Sequence, residues 1–320
     1  RIFNGRSSGS SQSMGSIRRE DSLPTMSRAP AGYQRKMHLM TMAQANTATV
    51  HPSRHLTTTG RLARAWTDLR EGMAMRELWL FLGWRDVRKH YRRSVIGPFW
   101  LTLSMGIMVG SLGFLYSQIF GMDIATYLPF LAVGFMLWGL ISGSVIGGCN
   151  VFSSAAGSIR QIRLPLSVYI FQFVWSQLIN FGHNFLIYFI VLLLFGIPIG
   201  WSVLLFVPAL AIYVLNAVFA VMVLGPLCAR FRDIPMIVSS LIQVIFFMTP
   251  IIWSAAQIPQ RTAFVDLNPF YHFIEIARDP LLGGTGTWTN WLASIAMTIV
   301  FGTVAILFFS RYRSRIPYWA

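Results

Sequence analysis

Long apolar stretches without an acidic or basic residue dominate the chain after residue 93. They cover 94–122, 124–159, 164–229, 234–260 and 281–310. Each is longer than the roughly 20 apolar residues that an α-helix needs to cross a bilayer. The third stretch is long enough for two crossings, and the turn sequence Gly-Ile-Pro-Ile-Gly at 196–200 divides it. The pattern therefore predicts an all-α integral membrane protein with six transmembrane helices.

Short loops between the six predicted helices carry basic residues on only one side. The predicted spans are 99–120, 127–149, 166–195, 202–224, 236–253 and 288–310. Arginines follow the second, fourth and sixth spans: Arg160, Arg163, Arg230, Arg232, Arg311, Arg313 and Arg315. The loops 121–126 and 196–201 contain no Lys or Arg. Since short cytoplasmic loops are enriched in these residues, both termini are predicted to face the cytoplasm.

A basic amphipathic segment at 84–100 leads into the first span. Its apolar positions form one helical stripe: Trp84, Val87, Tyr91 and Val95. Five cations occupy the other side: Arg85, Arg88, Lys89, Arg92 and Arg93. A helix of this kind lies along a membrane surface, and Gly97-Pro98 ends it. A soluble helix with surface salt bridges is the alternative, but the apolar sequence that follows favours the membrane.

The region before this segment divides into a polar tail and a second helix. Residues 1–60 are rich in Ser, Thr, Arg and Met without apolar periodicity, which predicts a disordered tail. The helical pattern at 61–81 places four apolar residues on one side: Leu62, Trp66, Leu69 and Met73. The predicted organisation is a tail at 1–60, cytoplasmic and interface helices at 61–96, and a six-helix transmembrane domain at 97–320.

Composition and charge agree with a membrane protein. The chain is 54% hydrophobic and only 12% charged, against about 25% charged residues in an ordinary soluble domain. Its net charge of +15 is uneven, since 17 of the 26 Lys and Arg residues precede Trp100. The anionic inner leaflet is a sufficient partner for these cations, so no nucleic-acid partner is predicted. Cys149 and Cys228 have no metal-binding or disulfide pattern around them.

Two motifs of common catalytic chemistry, the phosphate-binding loop and the zinc-binding helix, are absent from the sequence. Neither of its two lysines, Lys36 and Lys89, follows a glycine, which excludes a phosphate-binding loop of the Gly-Lys-Ser/Thr type. The chain also lacks a His-Glu-X-X-His zinc helix. No catalytic residue, metal site or cofactor is therefore predicted on this chain. His272 and Glu275 share a predicted helix face, but a metal needs more ligands, and a polar pair facing the outer water is preferred.

Ionisable residues are nearly absent within the predicted spans, whereas aromatic rings are plentiful. Ion-coupled transporters usually bury Asp, Glu or Arg, so an internal proton path is disfavoured. The main polar cluster within a span is Asn180, His183 and Asn184, for which interhelical hydrogen bonding is the simpler role. Aromatic faces suit both the C–H surfaces of sugar rings and large apolar lipids, so this pattern leaves both open.

Two loops contain short helical patterns. On the outer side, 268–282 predicts an amphipathic helix closed by Pro280, which is too short to span and is expected to be re-entrant or interfacial. On the cytoplasmic side, 157–166 predicts a short helix that ends at Leu164-Pro165. Its arginines, Arg160 and Arg163, either anchor the loop at the membrane or form a docking surface for a cytoplasmic partner.

Six short motifs follow one another in the order found in a known family. They are Tyr-Arg-Arg-Ser-Val-Ile-Gly-Pro-Phe-Trp at 91–100, Arg-Leu-Pro at 163–165, Ala-Arg-Phe-Arg-Asp-Ile-Pro at 229–235, Thr-Pro-Ile-Ile-Trp at 249–253, Asn-Pro-Phe-Tyr at 268–271 and Arg-Tyr-Arg at 311–313. Over residues 78–320 the chain resembles the membrane subunit of type-2 ABC exporters for lipid-linked polysaccharides such as O-antigen, capsule or teichoic acid. The tail before residue 61 has no counterpart in this resemblance.

The resemblance implies a partner, a substrate and a location. The chain would form a homodimer in the bacterial inner membrane with two copies of a separate nucleotide-binding ATPase subunit, which holds ATP and Mg²⁺. The transported molecule would be a polyprenyl-pyrophosphate-linked polysaccharide. The missing phosphate-binding loop then has an explanation, since ATP is hydrolysed on another chain.

Four groups of residues receive a role from the same resemblance. The interface helix at 79–94 and the gate loop that admits the lipid-pyrophosphate end contain Arg88, Arg92, Arg93, Ser94 and Gly97. The coupling helix at 157–165, seated on the ATPase, contains Arg160, Gln161 and Arg163. Sugar contacts in the channel are assigned to Tyr116, Phe246, Phe247 and Trp253. The outer gate helices at 257–282 contain Asn268, Tyr271, His272 and Glu275.

Other functions fit parts of this pattern. A type-2 ABC exporter of drugs or small lipids would have the same helices and the same partner. An integral membrane enzyme acting on polyprenyl lipids fits the apolar stretches, although the sequence shows no catalytic constellation for it. A structural membrane scaffold would show no nucleotide-dependent motion.

Overall fold

Helices and short turns make up the described part of this protein. The computed structural model describes residues 58–90, 97, 99–198, 200–255 and 263–320, and no strand occurs among them. The predicted all-α class is confirmed for this part of the chain. The predicted disordered tail lies outside the described residues except for 58–60, which begin the first helix. Residues 91–96 also lie outside them, so the predicted domain boundary at 96–97 stays a prediction.

Thirteen α-helices follow one another along the described ranges. They are α1 Thr58–Ala74, α2 Arg76–His90, α3 Phe99–Phe120, α4 Ile124–Gly148, α5 Val151–Ser154, α6 Ala156–Gln161, α7 Leu166–Phe195, α8 Phe206–Arg230, α9 Ile234–Met248, α10 Ala263–Asp266, α11 Pro269–Leu281, α12 Trp288–Tyr312 and α13 Ile316–Trp319. A 3-10 turn at Trp201–Leu205 precedes α8, and another at Arg313–Arg315 joins α12 to α13.

Five of these elements are long and apolar enough to cross a membrane. They are Phe99–Phe120, Ile124–Gly148, Leu166–Phe195, Trp201–Arg230 and Trp288–Trp319. The chain is therefore a multi-pass membrane protein, as the apolar stretches predict. The bounds of α3 and α7 coincide with the predicted spans 99–120 and 166–195.

The remaining predicted span, 236–253, is shorter in the structure than the sequence suggests. Helix α9 has 15 residues and ends at Met248, giving about 22 Å at 1.5 Å per residue, less than the roughly 30 Å hydrocarbon core. Thr249 is extended, with φ −96° and ψ 137°, because the following Pro250 disfavours helical backbone before it. Among the described residues, five helices are thus long and apolar enough to cross a membrane, and the sixth crossing stays a prediction.

Helix α4 lies at the centre of the bundle. It buries 13 of its 25 residues and packs against α3, α7, α8, α9 and α11. Its glycines allow close approach, since a Cβ on Gly147 would lie 2.7 Å from the Phe173 ring and one on Gly148 would lie 3.1 Å from Val221. The neighbouring helices therefore pack closely against α4.

Arginines gather at one end of the bundle, which is called the basic end below. Arg160 donates from Nη2 to the carbonyl oxygen of Ala320 at 2.6 Å. The guanidinium carbon of Arg230 lies 5.9 Å from the centre of the Trp319 ring, and those of Arg311 and Arg315 lie 5.9 and 6.0 Å from the Tyr312 ring. Helix α11 lies near the N-terminal half of α4, at the opposite end.

Helices α1 and α2 pack along α7 mainly through residues outside their apolar stripes. The buried residues of α1 are Ala65, Asp68 and Gly72, and a Cβ on Gly72 would lie 2.1 Å from the Ser167 hydroxyl oxygen. Two residues of the predicted stripe, Trp66 and Met73, are exposed at 66% and 54%. The face of α1 that meets α7 is therefore formed by these small residues and Asp68, not by the large rings of the apolar stripe.

The packed face of α2 also differs from the predicted stripe. Val87 is buried, whereas Trp84 of the same stripe is 54% exposed. Gly83 faces α7 instead, where an added Cβ would lie 2.8 Å from the Gln172 carbonyl oxygen. The Trp79 ring lies 5.9 Å from that of Phe171. Small and flat side chains allow the close contact, whereas the bulkier Trp84 is directed outward.

Helices α3 and α9 leave most of their apolar surface uncovered by the described chain. Only Val109, Gly113 and Ser117 are buried on α3, and only Ile242 on α9. The exposed apolar residues of these two helices are Phe99, Trp100, Leu103, Ile107, Met108, Phe114, Leu115, Ile119, Phe120, Met236, Ile237, Leu241, Val244, Phe247 and Met248. These faces are available to lipid or to another polypeptide.

Candidate functional site

The predicted gate loop lies largely outside the described residues. Arg92, Arg93 and Ser94 lie there, so their positions stay predictions. Gly97 has φ +63°, a left-handed conformation that glycine adopts without strain, and its carbonyl accepts from the Trp100 amide at 3.2 Å. Arg88 is exposed near the end of α2. Glycine at 97 is thus required by the turn that starts α3.

The predicted coupling helix is α6, a six-residue helix at the basic end. Arg160, Gln161 and Arg163 are all exposed, and none of the α6 residues is buried. The helix ends where Ile162 becomes extended, and Pro165 precedes the first residue of α7. The structure therefore presents the three predicted side chains on one accessible segment, beside the last residues of the chain.

A buried carboxylate joins α1 to the start of α7. Asp68 is 1% exposed, and its two oxygens accept from the backbone amides of Leu166 at 3.1 Å and Ser167 at 2.9 Å. Arg313 donates from Nε to the same carboxylate at 2.7 Å, and its Nη2 completes a salt bridge. The first amides of a helix have no partner within it, so Asp68 satisfies the beginning of α7 from another helix.

The aromatic residues predicted to contact sugar lie at the opposite end. The rings of Phe246 and Phe247 are 5.1 Å apart, and Trp253 donates from Nε1 to the Phe247 carbonyl oxygen at 3.2 Å. Phe247 is 62% exposed. Trp253 lies in the turn after α9 and not in a helix, as the predicted span had placed it. These three residues form one aromatic group.

Tyr116 reaches this group through a second row of rings. It stacks on Phe120 with 5.5 Å between ring centres, and Phe120 meets Tyr127 edge-on at 6.1 Å. The Tyr127 hydroxyl donates to the Ile252 carbonyl oxygen at 2.6 Å, next to Trp253. The four predicted channel residues therefore belong to one continuous aromatic and hydrogen-bonded region.

Helix α11, the predicted outer gate, is anchored in the protein core. Asn268 begins it by accepting from the Phe270 amide at 3.0 Å and donates to the Thr249 hydroxyl at 3.0 Å. Phenolic hydroxyls from two long helices bind its carbonyl oxygens: Tyr213 that of Phe273 and Tyr188 that of Leu281, each at 2.8 Å. The predicted helix is confirmed, but the re-entrant arrangement stays a prediction.

Arg278 is the most enclosed cation among the described residues. Its side chain is 1% exposed, forms a 2.8 Å salt bridge with Glu275 and donates to the Pro250 carbonyl oxygen at 2.7 Å. The Phe130 ring lies 4.1 Å from its guanidinium carbon, within the range of a cation–π interaction. One side chain thus joins α11, α4 and the turn after α9.

The predicted polar pair of α11 does not face water, and this expectation is corrected. His272 is 7% exposed, with its ring nitrogens 2.8 Å from the Asn290 amide oxygen and 2.7 Å from the Asp266 carbonyl oxygen. The Glu275 side chain is 15% exposed, and burial raises its pKa against the lowering effect of Arg278. Tyr271 is also buried on the same helix. Both polar groups are structural contacts of the helix.

The hydrophobic pattern of the sequence does not reveal two important residues, Asp68 and Arg278. Asp68 lies on a helix whose apolar stripe points elsewhere, and Arg278 is a single cation in the last turn of α11. Asp68 has one usable sign in the sequence, since it stands three residues after Ala65 and four before Gly72. An ionised residue between small residues on one helix face indicates a close, polar helix contact.

A sequence profile of the family described as ABC-2 type transporter matches residues 77–282, more than half of the chain. The match includes α3, α4, α7, α8, α9 and α11, with the aromatic group and the Arg278 contacts. The chain therefore belongs to the ABC-2 type transporter family and is a membrane transport protein.

Curated relatives carry one common name. The chain is 26% identical over 204 residues to the O-antigen export system permease protein RfbA of Myxococcus xanthus, covering 63% of this chain and 78% of the relative. Two proteins of the same name from Klebsiella pneumoniae are 23% identical over 234 residues and 24% identical over 202 residues. These matches cover 72% and 62% of this chain, and 90% and 78% of the relatives.

Proposed function

We propose that this chain is the permease subunit of an ATP-driven exporter for a polyprenyl-pyrophosphate-linked polysaccharide in a bacterial inner membrane. The observation that carries the proposal is the likeness to three relatives named O-antigen export system permease. Membership of the transporter family and five helices long and apolar enough to cross a membrane support it. In this proposal the basic end and both termini face the cytoplasm, as arginine placement predicts.

The energy source of the proposed exporter is an ATPase subunit on another chain. The sequence has no Gly-Lys-Ser/Thr loop, so ATP and Mg²⁺ would be bound by that partner. Helix α6 supports this assignment, because its exposed Arg160 and the nearby Gln161 and Arg163 form an accessible segment at the basic end. Electrostatic complementarity to an acidic groove would then direct docking.

A second copy of the chain completes the proposed channel. Helices α3 and α9 expose apolar faces that the described residues leave uncovered, and both lead to the aromatic group at the opposite end. In the proposed homodimer, these helices line the path, with Tyr116, Phe246, Phe247 and Trp253 contacting sugar rings. Helix α11, with Asn268, Tyr271, His272 and Glu275, would frame the outer opening.

Reconstitution tests the proposed substrate directly. Proteoliposomes would contain this chain with its co-purified nucleotide-binding subunit and, in separate samples, a polyprenyl-pyrophosphate polysaccharide, a polyprenyl phosphate without glycan, or a hydrophobic dye. We expect ATP-dependent movement of the polysaccharide carrier and stimulation of ATP hydrolysis by it. Dye-stimulated hydrolysis without glycan movement would support a drug or small-lipid exporter. Glycan transfer without any ATPase would support a membrane enzyme.

The gate arginines give a first test of how the substrate is admitted. Changing Arg88, Arg92 and Arg93 together to Ala is expected to lower export, since three cations that attract a pyrophosphate are lost, while the chain stays inserted. Export of the cell-surface glycan and membrane content of the chain would be measured together. The matched control changes Arg61, Arg64 and Arg70 of α1 to Ala. Equal export in both triple variants would show that the gate arginines only anchor the chain at the membrane and do not admit the substrate.

The exposed ring of Phe247 gives a test of the sugar contact. Changing Phe247 to Ala is expected to lower the initial rate of export about threefold to tenfold, since one aromatic contact is worth about 1 kcal/mol. Phe247→Tyr should keep the rate because the ring face is retained. Trp201→Ala, which removes a 90% exposed ring elsewhere, is the control. An unchanged rate in Phe247→Ala would exclude this ring from the path.

A further inference from the structure

A compact polar cluster lies beneath the proposed ATPase docking helix. It consists of Asp68, the backbone amides of Leu166 and Ser167, and Arg313, and is called the Asp68 cluster below. These partners are 98, 99 and 245 residues from Asp68 along the chain. The Asp68 side chain is fully buried, and the Arg313 side chain is 31% exposed. The cluster therefore joins α1, the start of α7 and the 3-10 turn after α12, which no local sequence pattern connects.

The start of α7 depends on this carboxylate. Pro165 occupies the N-cap position and makes no side-chain cap, so the first two amides of α7, those of Leu166 and Ser167, take their acceptors from Asp68. Both Asp68 oxygens are used, one by Ser167 and the other by Leu166 and Arg313. A negative charge at a helix N-terminus is also favourable to the helix dipole. Asp68 thus caps α7 from α1 and is neutralised by Arg313 in the 3-10 turn after α12.

The contact between α1 and α7 is reinforced in the reverse direction. The Ser167 hydroxyl donates to the Asp68 backbone carbonyl oxygen at 2.6 Å. Gly72 lies against Ser167 so closely that no larger residue fits without movement. Ala65 packs with Leu166, Phe309 and Ile316 in one apolar cluster around these polar groups. The surrounding contacts leave little freedom for α1 to slide along α7.

Helix α6 is connected to this cluster on both sides. Along the chain, only 162–165 separate the end of α6 from Leu166, and the Leu164 amide donates to the Ile162 carbonyl oxygen at 3.0 Å. Across space, Arg160 holds the Ala320 carbonyl oxygen, in the segment that continues from Arg313. A displacement of α6 is therefore passed to α7 directly and to α12 through its C-terminal extension.

We propose that Asp68 is a positioning residue for energy coupling, because it makes α1, the start of α7 and the end of α12 move with α6 as one body. The inference rests on the proposed function, in which an ATPase acts on α6. Without the carboxylate, the same push on α6 would displace the start of α7 while α1 and α12 stay behind. ATP would still be hydrolysed, but fewer substrate molecules would be moved for each ATP.

Four variants and one control test this role. Asp68→Asn keeps the size but replaces one acceptor oxygen with a donor, which faces amides that also donate. Arg313→Ala removes the counter-charge, Arg313→Lys retains it, and the fourth variant combines Asp68→Asn with Arg313→Ala. The control is Arg311→Ala, an exposed arginine two residues earlier, at the end of α12, whose contact here is the Tyr312 ring. Each chain is reconstituted with the ATPase subunit, and export and hydrolysis are measured in the same vesicles.

We expect export per ATP to fall at least about fivefold in Asp68→Asn and Arg313→Ala, the lower end of coupling between distant sites. Arg313→Lys should recover much of the export per ATP, and Arg311→Ala should have the same export per ATP as the unchanged protein. The double variant should be no worse than the worse single one, since both residues act through one cluster. The ATPase should co-purify equally with all variants. An unchanged ratio in both single variants would overturn the proposal.

Amide hydrogen exchange gives a measurement that needs no glycan and no ATPase. Exchange at Leu166 and Ser167 should be faster in Asp68→Asn and Arg313→Ala than in Arg311→Ala, because their acceptor is lost or loosened. Equal exchange in all three chains would overturn the cap itself. If the unchanged complex moves no glycan, the proposed function fails, while these exchange rates still decide whether Asp68 holds the start of α7.

Discussion

Replacing Arg278 with Leu is expected to lower the free energy of unfolding by about 3 kcal/mol or more, the usual cost of breaking a buried ion pair. Three contacts end together: the salt bridge to Glu275, the donation to the Pro250 carbonyl oxygen and the stacking on Phe130. For a chain of this size the midpoint of thermal unfolding in detergent should fall by about 6 °C or more. Arg311→Leu, at an exposed position, is the matched control and should change it little.

A double variant separates the lost pair from lost packing. In Arg278→Leu, the Glu275 carboxylate stays buried without its cation, whereas Glu275→Gln combined with Arg278→Leu leaves no buried charge from the pair. We expect the double variant to regain part of the lost stability, since a pair replaced by neutral groups is often tolerated. If the double variant is less stable than Arg278→Leu, the ion pair is not the source of the effect.

The stability deficit of Arg278→Leu should grow as the pH rises. Burial already raises the pKa of Glu275. The charges of Arg278 and His272 oppose that increase, and the nearby Asp279 adds to it. Removing Arg278 raises this pKa further, so the folded variant binds a proton that the unfolded chain releases near its ordinary pKa of about 4.3. Stability from that proton is complete below the ordinary pKa and is lost as the pH passes the raised value. The free energy of unfolding of Arg278→Leu and of the unchanged protein, measured at pH 5 and pH 8, would show whether the deficit grows.

Arg278 also has a consequence for transport. Its donation to Pro250 and the Tyr127 contact to Ile252 hold the turn that carries Trp253 and ends the helix of Phe247. Loss of the arginine should therefore lower export even at a temperature where the folded protein persists. Normal export by folded Arg278→Leu would show that the aromatic group is positioned without it.

Reversing the charge of Arg160 and Arg163 to Glu is expected to remove the ATPase subunit from the complex. These side chains are exposed on the segment proposed to dock, and two acidic groups would repel an acidic groove. Affinity for the separately purified ATPase should fall at least about tenfold, and ATP hydrolysis stimulated by the permease should be lost. Co-purification and a binding titration at two salt concentrations would measure both effects.

The control for this pair is Arg311→Glu with Arg315→Glu, the same charge change at the same end of the bundle. Both control arginines lie beside the Tyr312 ring and outside α6. We expect this variant to keep the ATPase. Equal loss from both variants would mean that overall positive charge, and not α6, holds the partner. Unchanged binding and hydrolysis in Arg160→Glu with Arg163→Glu would refute α6 as the docking segment.

Several helices of this protein could be predicted closely because their limits depend on neighbouring residues. Helix α3 spans Phe99–Phe120, between Gly97-Pro98 and a glycine at 121 with φ +62°, and α7 ends at a glycine at 196 with φ +60°. The same local signals revealed α6 and α11. The predicted length of α9 was wrong because apolar residues continue past Pro250, while the backbone does not remain helical.

The candidate site could be predicted only in part, because hydropathy indicates burial for apolar residues and exposure for charged ones. Asp68, Arg278 and His272 are buried against that expectation, each with partners from other elements. Trp66 and Trp84 are exposed although the helical wheel places them on apolar stripes. A wheel shows which residues share a face, but not whether the neighbouring helix offers space for a large ring or for a glycine.

The sequence by itself determined that this is an all-α membrane protein, and it determined the long apolar helices, the arginine-rich loops and the lack of a phosphate-binding loop. These properties follow from composition and spacing within about 20 residues, the length that a bilayer requires. Only the tertiary structure decided that Asp68 caps α7 and that Arg278 joins α11 to the turn after α9. Their partners come from separate parts of the chain, and a buried charge becomes favourable only when folding brings those partners together.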